Sequence, residues 1–120
     1  MLYFYGNSYK EARGNKPVKI KTTEQLEGYK QVYDFVIPAY EYFVMFWNDE
    51  GDYPIAVFDV IADDEAEAED IALANGGDAY EDEWPMLVEP KDNWLDEAEQ
   101  WKEDAASGER GCCELYKEVR

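Results

Sequence analysis

The chain is 120 residues long, 46% apolar and 16% aromatic, with 29 acidic against 11 basic residues and a net charge of −18. That length allows one modest core, and so many aromatic residues exclude a disordered acidic tail. There is no histidine, which removes the commonest general base and metal ligand together, and the excess of acid opposes direct contact with nucleic acid or an anionic membrane surface.

In chain order, "LYFY" (2–5) reads as a short strand and "PVKIK" (17–21) alternates as a second, with the polar stretch 6–16 as the loop between them. Thr22 followed by Gln25 makes a capping box. Leu26, Tyr29, Tyr33, Val36 and Ile37 then recur at helical spacing, and Pro38 is expected to end that helix. "EYFVMFWN" (41–48) and "YPIAVFDVIA" (53–62) flank "DEGD", a β-hairpin signal. Asp63 or Asp64 caps a helix expected to run to about Asn75, where Gly76 and Gly77 stop it. An acidic loop follows, then a short strand "MLV" (86–88). A third helix, capped by Asp92 or Asn93, carries Trp94, Leu95, Ala98, Trp101 and Ala105 on one face. "SGERG" breaks it, and "CCELYKEV" (112–119) closes the chain as a strand. These elements predict a single α+β domain over residues 1–120, an antiparallel sheet of about four to six strands with about three helices packed on it.

Adjacent cysteines seldom bridge each other, so Cys112 and Cys113 read as reduced thiols of a cytoplasmic protein. No apolar run approaches 18 residues and the N-terminus lacks a long apolar stretch, which points to a soluble chain. Catalytic motifs are missing. Ser8 and Ser107 have no histidine to activate them, "NGGDA" lacks the spacing and lysine of a phosphate loop, and zinc needs more Cys or His than the chain holds. "NDEGDYPIAVFD" has the glycine of a calcium loop but puts apolar residues at the later ligand positions. The expectation is therefore a protein that is not an enzyme and has no cofactor or metal.

Charge is unevenly spread. Residues 1–40 carry six bases and four acids, whereas residues 63–104 hold seventeen acids against only Lys91 and Lys102. In "DDEAEAED" (63–70), Asp63, Asp64, Glu65, Glu67, Glu69 and Asp70 are strung along roughly 11 Å of helix, close to the charge spacing of a nucleic-acid strand. Asp63, Asp64 and Glu65 suit the positive end of a helix dipole; Glu67, Glu69 and Asp70 have no Lys or Arg at i+4. Asp78, Glu81, Asp82 and Glu83 extend the run, and Asp96, Glu97 and Glu99 add to it if the two helices lie side by side. Tyr80 and Trp84 are interleaved with these acids as candidate interface anchors, Tyr80 being expected to be exposed.

In size, charge, lack of histidine and acid clusters such as "DDEAEAED" and "YEDEW", the chain resembles the small acidic proteins that phages and mobile elements direct against host defence, anti-restriction DNA mimics and acidic anti-CRISPR proteins among them. Members of that class differ in fold, so the resemblance implies function alone. It implies a non-enzymatic inhibitor that fills the basic DNA- or RNA-binding groove of a defence complex, a CRISPR effector rather than a restriction enzyme, in the host cytoplasm. Two other readings stand beside it: an accessory interaction domain whose charge serves solubility and steering, and a small-molecule module with a Tyr- and Trp-lined pocket.

Overall fold

The computed structural model describes residues 1–48, 50, 51, 53–108 and 113–119, which form an α+β fold. The chain divides into two compact units, residues 1–40 and 41–120.

The first unit holds β1 (Leu2–Gly6), α1 (Tyr9–Gly14), β2 (Val18–Lys19), α2 (Thr23–Val32) and the start of β3 (Phe35–Trp47). β1 pairs antiparallel with β2 and with β3, Leu2 facing Ala39 and Gly6 facing Phe35. Helix α1 occupies part of the predicted loop. Ser8 Oγ accepts from Glu11 N at 3.1 Å and Glu11 Oε2 accepts from Asn7 N at 3.3 Å, a reciprocal cap that starts a helix with little apolar pattern of its own. Gly6 is needed beneath it, since a Cβ there would lie 2.7 Å from Ala12 N. The Thr22 cap forms as predicted, its Oγ1 accepting from Gln25 N while Gln25 Oε1 accepts from Lys21 N. Helix α2 stops at Val32, however, and not at Pro38. Val36 and Ile37 pair with Tyr5 and Phe4 of β1 instead; β-branched side chains that continue helical spacing suit a sheet better once a partner strand is present.

The second unit takes up β3 and adds β4 (Pro54–Ala62), α3 (Glu65–Ala72), α4 (Asp78–Glu81), β5 (Met86–Pro90), α5 (Leu95–Ser107) and β6 (Leu115–Val119), in strand order β5-β3-β4-β6. The hairpin 41–48/53–62 and the strand at 86–88 form as predicted, β5 running antiparallel to β3. β6 lies parallel to β4, Ala56 facing Leu115 and Val60 facing Val119. The expected antiparallel sheet is thus mixed, because the return through α5 is the long crossover that parallel pairing requires. β4 is covered on both faces. Val44, Phe46, Ala56, Phe58 and Val60 pack against Ala68 and Ala72 of α3. Phe43, Met45 and Val57 meet Ala98 and Trp101 of α5. Alternate residues of β3 and β4 point to opposite faces, so α3 and α5 lie on opposite sides of the sheet.

The helix begun at residue 65 ends where Gly76 and Gly77 are expected to stop it: α3 closes at Ala72 and the backbone leaves helical geometry at Asn75 and Gly76. The kinked turn Leu73–Gly77 leads into a second short helix, α4, within the predicted loop. Gly76 makes the kink at φ 115°, a conformation favoured only by glycine. Gly77 is required for space: a Cβ there would sit 2.7 Å from Ala72 O and 3.4 Å from Phe46. The third helix begins as a 3₁₀ turn, Lys91–Trp94, with neither Asp92 nor Asn93 as a side-chain cap, and ends at left-handed Gly108. Cys113 is buried, its Sγ donating to Leu115 O at 3.3 Å; Cys112 lies outside the described residues, as do Asp49 and Asp52. Among the described residues no helix is long and apolar enough to cross a membrane.

Candidate functional site

Apart from Asp63, which is half-buried at the start of the run, the acids of residues 63–83 fall into two kinds. Asp64 caps α3, its Oδ1 accepting from Glu67 N at 2.8 Å, and Glu67 Oε1 accepts from Asp63 N at 3.1 Å. These two carboxylates hold the helix start and need no partner molecule to explain them. Glu65, Glu69, Asp70, Asp78, Glu81, Asp82 and Glu83 make no such bond and have no Lys or Arg at ion-pair distance among the described residues. Apart from Glu69, which is partly covered, they are exposed. α3 carries Glu65, Glu69 and Asp70, α4 carries Asp78 and Glu81, and Asp82 and Glu83 follow it; Lys117 secures the kinked turn between the two helices by donating to Asn75 O at 2.8 Å. Asn75 in turn donates to Ile71 O.

Tyr80 and Trp84 are the inward side of this segment rather than projecting anchors. Both are partly buried and pack on the α3-side core, with the Tyr80 ring 5.8 Å from that of Phe46. Burial, followed by the Glu114 and Cys113 charges, raises the Tyr80 hydroxyl's pKa. Their i, i+4 spacing, with Trp84 N bonded to Tyr80 O at 3.0 Å, is the helical signal hidden in the predicted loop.

Asp96, Glu97 and Glu99 are exposed on α5. Because α5 covers the other side of the sheet, their charges do not join those of α3. The two helices present separate acidic faces, that of 65–83 being the larger. On the α5 face Lys102 reaches Glu118 at 3.4 Å and Gln100 donates to Asp104.

Sequence reasoning missed a buried polar group beneath α5. Asp59 is 0% exposed, in the middle of apolar β4. Lys91 Nζ meets its Oδ2 at 2.8 Å and Glu41 at 4.0 Å. Asp59 Oδ1 and the Tyr116 hydroxyl are buried, and neither makes a well-formed hydrogen bond among the described residues. The hydroxyl still senses the carboxylate: burial first, then the Asp59 and Glu118 charges, push its pKa well above the tyrosine range. One acid within "IAVFDVIA" was the available signal. Among the described residues no set of three or more Cys, Asp or Glu side chains converges as metal ligands. Comparison with protein-family models, curated proteins and solved structures finds no match to this chain.

Proposed function

We propose that the protein is a non-enzymatic binding protein whose α3–α4 face occupies a basic nucleic-acid-binding groove on a defence complex, as an acidic anti-CRISPR protein does. The observation that supports this is the set of seven acids between Glu65 and Glu83 with neither structural bond nor counter-ion. Acids left this way repel each other and lower stability; a partner's lysines and arginines reverse that cost on binding. One acidic segment fits one groove. With Asp96, Glu97 and Glu99 on the opposite side of the sheet, a continuous duplex-like rod is not the form the mimic takes. The accessory-domain reading competes because the acids are divided between two faces, as general solubilisation would leave them.

The test is capture by the tagged protein from lysates carrying CRISPR or restriction systems, with washes at low and high salt. A mimic brings down a nucleic-acid-binding complex that salt releases and that the triple reversal Glu65→Lys, Glu69→Lys, Asp70→Lys abolishes. Glu67 is spared because it caps the helix. Capture that survives both salt and reversal places the contact elsewhere and rejects the mimic, as does no capture from either system.

A further inference from the structure

Within residues 41–120 the strand order β5-β3-β4-β6 has two ends, and the chain treats them differently. β5 follows Pro85 and finishes in Pro90, residues without an N–H that discourage a further strand. β6 pairs with β4 alone and contains no proline. Its one lysine, Lys117, is of the type that blunts an open edge, but its ammonium is drawn to Asn75 O at 2.8 Å. Leu115 O is engaged by the Cys113 thiol. Backbone groups alternate in direction along a strand, so about half of the others in β6 face away from β4, with no strand to receive them among the described residues.

A groove of about 380 Å³ runs beside this edge. Ala105 and Ala106 of α5 line one wall, and Glu114, Tyr116 and Glu118 the other. Leu115 borders it as well, although its side chain packs on the α3-side core, which puts the groove along the strand's edge and not only over its α5 side. Its walls are apolar and its rim is acidic. Lys102 is occupied by Glu118 at 3.4 Å and by the Tyr116 ring at 5.2 Å. Glu114 is exposed, with no Lys or Arg at ion-pair distance among the described residues. A lysine or arginine fits such a groove, its methylenes along the alanines and its charged head at Glu114.

Two requirements therefore meet in one occupant. The open edge calls for an extended backbone, and the groove calls for cationic side chains at alternate positions of it. A second copy of β6 meets neither well, since its own Glu114 and Glu118 would return acids to an acidic rim between molecules of net charge −18 each. We infer that β6 is a docking edge for an extended, basic segment of a partner protein, which adds as a further strand beside Leu115–Val119 and seats a lysine or arginine against Glu114. This holds independently of what the α3–α4 face binds.

The test takes the full chain and a blocked peptide of about seven residues alternating arginine and valine, in about 0.15 M salt, with calorimetry for affinity and residue-resolved amide exchange for location. The expected result is a Kd on the order of 10–100 μM. At saturation, those amides of residues 115–119 that exchange fast in the free protein should slow by about tenfold or more. A counterpart peptide N-methylated at every residue keeps the charge but has no N–H to donate, and should bind at least about tenfold more weakly. Glu114→Lys should weaken the unmodified peptide by about tenfold. The triple reversal Glu65→Lys, Glu69→Lys, Asp70→Lys should leave the protection of β6 in place, so that failure here and failure of the mimic reading are told apart. No binding up to about 1 mM, equal binding of the N-methylated peptide, indifference to Glu114→Lys, amides of 115–119 that stay unprotected, or protection lost on the triple reversal would each overturn the inference.

Discussion

Lys91→Met should be among the most damaging single substitutions in this protein, and more damaging than Asp59→Asn. Asp59 is fully buried and Lys91 Nζ, at 2.8 Å, is the cation that compensates it. Removing the ammonium leaves a buried carboxylate whose other oxygen already lacks a well-formed hydrogen bond, a loss of about 3–5 kcal/mol. Total stability of a domain is about 5–15 kcal/mol, and self-repulsion at −18 lowers it further. Asp59→Asn differs because Lys91 is 20% exposed and has Glu41 at 4.0 Å, so its charge is not stranded. The amide oxygen still accepts from Lys91, and the amide nitrogen can donate toward the Tyr116 oxygen, which limits the loss to about 1 kcal/mol. Urea unfolding followed by tryptophan fluorescence reads both. At a slope of about 1.5 kcal/mol per molar, Lys91→Met moves the midpoint down by about 2–3 M and Asp59→Asn by less than about 1 M. The double variant should be more stable than Lys91→Met alone, because a neutral amide in place of the Asp59 carboxylate needs no counter-charge. A Lys91→Met protein no worse than Asp59→Asn, or a double variant showing the sum of both losses, would refute the argument.

Tyr116 should make the protein alkali-sensitive. Its folded-state pKa is raised, so the stability it contributes is fully present below the unfolded value of about 10 and falls as pH climbs above it. Tyr116→Phe should flatten that fall in thermal melts at pH about 9 to 11, and a wild-type slope retained in the variant would rule Tyr116 out as its source. Gly77→Ala should cost about 2–3 kcal/mol through contact with the Ala72 carbonyl, whereas Gly76→Ala, with open space but φ 115°, should cost about 1 kcal/mol. Equal shifts in thermal midpoint would show that Gly77 is not kept for space. Asp64→Ala should lose about 1 kcal/mol with its cap, while Glu69→Gln should gain about 0.2–0.5 kcal/mol by breaking the i, i+4 repulsion with Glu65. Denaturant midpoints that move the same way for both would erase the distinction between structural and free acids.

Where the sequence was legible, local physics and tertiary pairing agreed. The hairpin, the Thr22 cap, the α3 start and the β5 strand each combine a turn or cap with an apolar pattern that only one structure satisfies. Where it misled, a long-range partner decided. Val36 and Ile37 keep helical spacing, but β1 pulls them into a strand. The acidic stretch after Gly77 reads as a loop, but Tyr80 and Trp84 pack on the core there and the chain forms the short helix α4. The parallel β4–β6 pair and the opposite placement of α3 and α5 depend on chain routing, about which charge and periodicity are silent.

That routing changes what the acidity means. Seen along the sequence, residues 63–104 look like one reservoir of negative charge; in space the sheet divides it, and the cap bonds of Asp64 and Glu67 remove two carboxylates from any account of binding. What remains on the larger face is Glu65, Glu69, Asp70 and the group from Asp78 to Glu83, which contribute no bond to the fold and repel one another. Capping acids are explained by stability, because losing them weakens the helix. Acids whose neutralisation is expected to strengthen the protein need another explanation, and solubility calls for net charge without calling for its concentration in one segment of the chain. On the proposed reading, a surface that is locally repulsive in the free protein becomes favourable against the fixed cations of a groove built for phosphates. The α3–α4 face is therefore where substitutions should separate binding from folding.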